Sequence, residues 1–133
     1  MKSIFLPTLA LSVAFSALAG AAFAAGDPAA GEKVYAKCKA CHGAVGEGAK
    51  NMIGPQLNGL DGRKAGAIEG VNYSEPMKAS GIAWGEASFK EFIKNPKAKV
   101  PGTKMIFQGL PADKDGDDLW AYLAQFDADG KKK

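Results

Sequence analysis

The sequence predicts an all-α domain of three main helices plus short ones, joined by long loops that wrap around a centre the chain does not fill by itself. Three observations carry this expectation. Apolar side chains recur at helical spacing in three segments with recognisable start or stop signals. No segment alternates with the period of two that marks a half-buried strand. Between Gly43 and Gly70 the chain reads GAVGEGAKNMIGPQLNGLDGRKAGAIEG, rich in glycine and poor in aliphatic side chains. A loop of that length in a small domain is usually functional or wrapped around something.

The chain has 133 residues, enough for one domain with one core. It opens MKSIFLPTLALSVAFSALAGAAFAAGD, where Lys2 precedes an apolar run from Leu9 to Leu18 and the small-residue pattern Ala22-Phe23-Ala24. That is the anatomy of an export leader. Pro7, Ser12 and Ser16 interrupt the run and the chain turns polar from Gly26, which argues against a membrane anchor. Residues 1–24 are therefore expected to be removed between Ala24 and Ala25. The remainder, 25–133, is expected to be a single exported domain, periplasmic, monomeric and without a stable membrane anchor.

Asp27-Pro28 reads as a helix start, with Asp27 as N-cap and Pro28 in the first position. The helix that follows carries Val34, Tyr35 and Cys38 on one side and runs into the cysteines. After the glycine-rich stretch, Ser74 can cap a short helix through Pro76 to Ala79. A further helix is expected from about Gly85 to Asn95, with Phe89, Phe92 and Ile93 inward and Asn95-Pro96 as its stop. Pro101-Gly102 and Gly109 then break the chain. A last helix from about Asp113 to Phe126 places Leu119, Tyr122, Leu123 and Phe126 on one stripe, and the lysine tail beyond it is expected to fray. So few aliphatic side chains in the middle of a chain this small leave the core marginal.

Seventeen basic and fourteen acidic residues give a net charge of +3, or +2 once Lys2 leaves with the leader. That is too little for nucleic-acid binding, and no basic-glycine-aromatic pattern supports it. The arrangement says more than the total. Lys37, Lys39, Lys50, Lys97, Lys99 and Lys104 occupy two central regions, whereas Asp113, Asp115, Asp117 and Asp118 cluster later. A dipolar molecule is expected, although acids near a helix start also favour the helix dipole regardless of partners.

Both cysteines and the one histidine fall within CKACH, residues 38–42. A Cys38–Cys41 disulfide would close too small a loop to stabilise the fold much. A thioredoxin-like dithiol needs a preceding strand, and none is visible. Zinc wants four ligands, and no other Cys or His exists to complete them. Covalent haem attachment uses all three side chains: two thioethers from Cys38 and Cys41, and an axial imidazole from His42. Positions i, i+3 and i+4 of a helical turn share one side. Haem c also supplies the missing centre. For the opposite axial position Met52, Met77, Met105 and the lysines compete. Met52 lies in the segment expected to support His42, and Met77 reads as a wall residue. Met105 sits in PGTKMIF, where proline and glycine fix an extended loop able to cover the other haem face. Met105 is the expected ligand.

CKACH, GPQLNGLDGRKAG (54–66), GIAW (81–84), NPKAKVPGTKMIF (95–107) and DLWAYL (118–123) occur in order and at family spacing. The chain thereby resembles the class I c-type cytochromes, close to mitochondrial cytochrome c and the soluble bacterial cytochrome c2 group. The resemblance implies the class I cytochrome c fold, with three main helices, short helices and long loops around one covalently attached haem. It also implies that Pro55 accepts a hydrogen bond from His42, and that Arg63, Tyr73 and Trp84 hold a haem propionate. Thr103 and Phe107 would flank Met105, and Gly31 and Tyr35 would cross Leu119 and Tyr122. Two departures stand out. Relatives usually carry tyrosine at the position of Phe92, bonded to the methionine sulfur, and asparagine at Met77, in a buried polar network. Both positions are apolar here, so a drier Met105 side without a sulfur hydrogen bond is expected.

The implied function is that of a diffusible one-electron carrier, not an enzyme. Lys37, Lys97, Lys99 and Lys104 would ring the exposed haem edge and steer the protein to acidic docking sites. The Asp113 to Asp118 cluster would sit away from that edge. A cytochrome bc complex, an oxidase, a photosynthetic reaction centre or a periplasmic dehydrogenase could each be the partner. The alternatives are a dedicated electron-accepting subunit of one dehydrogenase, or a haem peroxidase or gas binder. The latter would need an open iron position and a distal acid-base residue that the sequence does not offer.

Overall fold

The structure, a computed structural model, describes residues 26–133. The expected leader 1–24 and its cleavage point lie outside the described residues. Six helices follow in order: α1 (Pro28–Tyr35), α2 (Lys39–His42), α3 (Glu75–Ala79), α4 (Glu86–Lys94), α5 (Pro96–Lys99) and α6 (Asp113–Leu123). None of the described helices is long and apolar enough to cross a membrane.

α1 starts as its sequence dictates. Asp27 caps it, accepting from the Ala29 amide at 2.9 Å, with Pro28 behind it. The helix does not run into the cysteines. A turn at 36–38 interrupts it, and a second short helix carries the histidine. α1 crosses α6 at Gly31, where a Cβ would lie 1.9 Å from the Asp118 carbonyl oxygen and 2.8 Å from the Tyr122 Cβ. Only a glycine lets these two backbones meet. Beside the crossing, the Tyr35 and Tyr122 rings pack in a tilted pair with centroids 5.6 Å apart. Leu119 and Leu123 are 0% and 1% exposed, and full burial of each contributes about 2 kcal/mol.

α4 packs on α6 through Phe89 and Trp120, whose rings are 5.2 Å apart. The amphipathic pattern placed this helix correctly, but the chain does not stop at Asn95-Pro96. Asn95 ends α4 and its side chain caps α5, accepting from the Ala98 amide at 3.2 Å, with Pro96 in the first position. The stop signal is also a start signal. α6 ends at Leu123, three residues before the expected Phe126. Beyond it the tail does not fray. Asp127 accepts from the Asp129 and Lys131 amides, and Phe126 and Lys132 form an antiparallel bridge. A single carboxylate tightens that turn.

The acidic cluster is largely paired rather than free. Asp113 meets Lys94 at 2.9 Å, Asp117 meets Lys90 at 2.7 Å, and Asp118 meets Lys114 at 2.6 Å. Asp113 and Asp115 lie in the first turn of α6, where they complement the helix dipole, the structural reading that stood beside a dipolar molecule. Asp118 does more. Its side chain is 6% exposed and also accepts from the Asp27 amide at 2.8 Å, tying the start of α1 to α6.

Lys114, and then the Asp27 amide, hold the Asp118 carboxyl below the ordinary carboxylate range. A depressed folded pKa contributes stability that is present above the unfolded value, about 3.9, and disappears as pH falls through the folded one. Asp118→Asn should therefore unfold at a lower temperature than the parent at pH 7. The gap should narrow steadily below pH 4. Thermal melts of both proteins from pH 7 to pH 2.5 check this; a gap independent of pH would contradict it.

Candidate haem site

The backbone of 38–42 forms one tight turn, with the Cys41 and His42 amides both donating to the Cys38 carbonyl at 3.2 and 3.0 Å. Cys38 is buried and Cys41 exposed. Burial pushes the Cys38 thiol up to about 11, against the lowering effect of Lys37. A redox dithiol needs a depressed thiol pKa, so this pair is poorly suited to that role. Among the described residues no three His, Cys, Asp or Glu side chains cluster as a metal site.

His42 is 9% exposed, and its Nδ1 lies 2.7 Å from the Pro55 carbonyl oxygen. A carbonyl can only accept, so Nδ1 carries the proton and Nε2 the lone pair. Burial holds the imidazole below its ordinary pKa; the Pro55 bond opposes this and the Arg63 charge adds to it. The result is a neutral ring with an oriented donor nitrogen, the form a metal binds. Gly54 makes the approach possible, since a Cβ there would sit 2.7 Å from the imidazole Cε1.

Several contacts hold the loop behind His42. Tyr35 donates from its hydroxyl to the Gly43 carbonyl at 2.6 Å. Asn58, 7% exposed, grips the peptide groups of Gly46 with both ends of its amide, accepting at 2.7 Å and donating at 2.8 Å. This clamp was not foreseen. An asparagine among glycines reads as a turn former, and only the tertiary fold shows that it bridges two turns. Gly130 of the C-terminal turn packs directly on the clamp, its Cβ position 2.7 Å from the Asn58 amide nitrogen.

Cys38, Met77, Trp84 and Phe92 belong to one continuous buried cluster, and Tyr73, Met105 and Phe107 pack against it half-buried. The loop bearing Met105 is braced by one internal bond and anchored to the rest of the fold at two points. The Met105 amide donates to the Thr103 hydroxyl at 3.2 Å, Lys104 donates to the Asn72 side chain at 2.9 Å, and Gly102, at φ +84°, closes against Pro76. Of the other methionines, Met77 is buried on α3 and Met52 lies beside Gly43, on the histidine side.

Arg63 and Trp84 are joined through their backbones, the Trp84 amide donating to the Arg63 carbonyl at 2.8 Å. The Arg63 guanidinium also feels Tyr73, and burial lowers its pKa. It donates to the carbonyls of Gln56 and Asn58 at 2.9 and 3.3 Å, yet among the described residues no carboxylate pairs with it. A partly buried cation without an anion is costly. The chemistry of this corner thus fits a cofactor that brings its own carboxylate, as haem does, and the oriented imidazole and paired thiols fit its iron and its vinyl groups.

Lys37, Lys97, Lys99 and Lys104 are all exposed. They are not equivalent: Lys99 is ion-paired with Glu91, whereas Lys37, Lys97 and Lys104 make no ion pair with a described residue, Lys104 being held by a hydrogen bond to the neutral Asn72 amide. Two large apolar side chains stand out nearby in sequence, Ile53 and Ile106, 84% and 95% exposed.

Comparison with known proteins follows the same line. The family model for cytochrome c matches residues 28–127. Cytochrome c-554 of Methylosinus trichosporium is 70% identical over 133 residues, the whole of both chains. Cytochrome c2 of Rhodoblastus acidophilus is 60% identical over 108 residues, 81% of this chain and 100% of that one. Among solved structures, cytochrome cH from Methylobacterium extorquens superposes with a TM-score of 0.69 at 46% identity, covering 75% of this chain and 99% of the other.

Phe92 is 6% exposed and its ring packs on Trp84 at 5.1 Å, so the position is apolar in fact as well as in sequence. If Met105 is the iron ligand that the family resemblance implies, Phe92→Tyr should bring a hydroxyl to its thioether and draw electron density from the sulfur. The reduction potential should rise. A hydrogen bond worth about 0.5–1 kcal/mol in one oxidation state corresponds to about 20–40 mV. Redox titration of the two proteins measures it, and an unchanged or lower potential would sink the idea.

Proposed function

The chain belongs to the cytochrome c family and carries covalently bound haem c; from that premise we propose that it is a periplasmic one-electron shuttle whose iron is held by His42 and Met105. Cys38 and Cys41 form the thioethers. Haem c supplies a one-electron couple whose potential depends on its axial ligands. The rest is the work of the chain. Pro55 fixes the imidazole tautomer, Thr103 and the Lys104–Asn72 contact hold the Met105 loop, and Arg63 with Tyr73 and Trp84 receives a propionate. The observation that carries this reading is the neutral His42, its Nδ1 committed to Pro55 and its Nε2 left as donor.

His42 and Met105 together would leave no open position on the iron for a substrate, so the protein would serve as a carrier rather than a peroxidase or a gas binder. Its ferric form should show the weak absorption band near the red end of the visible that accompanies Met–iron ligation, and Met105→Ala should lose it. Rapid binding of cyanide or carbon monoxide by the parent protein would overturn the assignment.

Docking is proposed to combine charge with apolar contact. Lys37 and Lys97 are available to steer toward acidic sites on a cytochrome bc complex, an oxidase, a reaction centre or a dehydrogenase. Ile53 and Ile106 flank the His42 and Met105 segments and supply surface that a partner would cover. The periplasmic assignment rests on the leader-like 1–24. Measured with a purified cytochrome bc complex as donor, the reduction rate should fall as ionic strength rises. Lys37→Glu and Lys97→Glu should slow it several-fold at low salt and flatten that dependence. A salt-independent rate in the parent would remove the steering role.

A further inference from the structure

The peptide group between Pro55 and Gln56 is hydrogen-bonded on both sides. Its carbonyl oxygen lies 2.7 Å from His42 Nδ1, and its N–H donates to Asn51 Oδ1 at 3.0 Å. The Asn51 amide is oriented in turn, because its Nδ2 donates to the Glu69 carbonyl at 3.2 Å. A backbone N–H on one side and a carbonyl on the other allow only this arrangement of the amide. The result is a continuous chain of hydrogen bonds from Glu69, through Asn51 and the Pro55–Gln56 peptide, to the histidine.

We propose that Asn51 is a positioning residue that tunes the electron-donating strength of His42 through this peptide. The proposal rests on His42 being the axial ligand. Chains of hydrogen bonds polarise one another, by about 10–30% per bond. When Asn51 accepts from the Gln56 N–H, the amide shifts electron density toward the Pro55 oxygen. That oxygen then draws harder on the Nδ1 proton, and the ring becomes a stronger donor at Nε2, favouring ferric over ferrous iron. The Asn51–Gln56 bond is exposed, so water partly replaces it when the side chain is removed. The effect is therefore modest.

Asn51→Ala should move the ferric–ferrous equilibrium about threefold toward the ferrous form, which is about 28 mV at 59 mV per tenfold. The Nδ1–H proton resonance of His42 in the ferrous protein should move upfield as its hydrogen bond weakens. Asn51→Asp keeps an acceptor oxygen facing Gln56 and should restore that resonance, with a potential at or below that of the parent. Redox titration and proton NMR on the holoproteins read both quantities. If Asn51→Ala lowers only the melting temperature and leaves potential and resonance unchanged, Asn51 is a loop bridge and the tuning role is overturned. A His42 ring lacking the large shifts imposed by a bound haem would overturn the ligand assignment and this proposal together. Normal ring shifts with unchanged potentials would overturn this proposal alone.

Discussion

The Pro55 carbonyl has to stay within hydrogen-bond reach of one imidazole nitrogen, and much of the loop from Gly43 to Arg63 serves that requirement. A carbonyl in an irregular loop would wander without support, because no helix or sheet ladder fixes it. Side chains replace the ladder. Asn58 grips Gly46, Arg63 reaches the Gln56 and Asn58 carbonyls, and Tyr35 holds the Gly43 carbonyl from the first helix. Each of these bonds also satisfies a backbone group that would otherwise be buried unpaired. Rigidity and polar satisfaction come from the same contacts.

Glycine makes this economy possible. At Gly54 the absent side chain lets backbone lie against the imidazole, and at Gly31 it lets two helices touch. The glycine-rich composition that marked the middle of the chain as loop therefore has a second meaning. It allows backbone to come close to flat rings and to other backbone. Loops of this kind are ordered by close approach, not by burying large apolar side chains.

Much of this was legible in the sequence where the chemistry is local. Asp27 with Pro28, and Ser74 before Pro76, announce helix starts because a cap needs one oxygen at one position. CKACH announces a cofactor because no other chemistry uses its three side chains. What was not legible depends on partners distant in sequence. Asn58 and Asn51 look like turn residues until the fold shows what they reach. The paired state of Asp113, Asp117 and Asp118 depends on where α4 lands. The α5 helix was missed for a local reason: Asn95-Pro96 stops one helix and starts another, and the two readings use the same residues.

The contact between Asp27 and Asp118 joins residues 91 apart in sequence. Together with the Gly31 crossing, it makes α1 and α6 the two ends of one large loop, and the residues proposed to hold the haem, Cys38 to Phe107, lie between them. Closing so long a loop is entropically expensive and slow. A chain emerging from synthesis cannot make this closure until α6 has arrived. Through that interval the CKACH segment has neither its helical partner nor the C-terminal turn that packs behind its supporting loop. Order of appearance along the chain thus leaves the segment around Cys38 to His42 without its full tertiary support until the last helix is made.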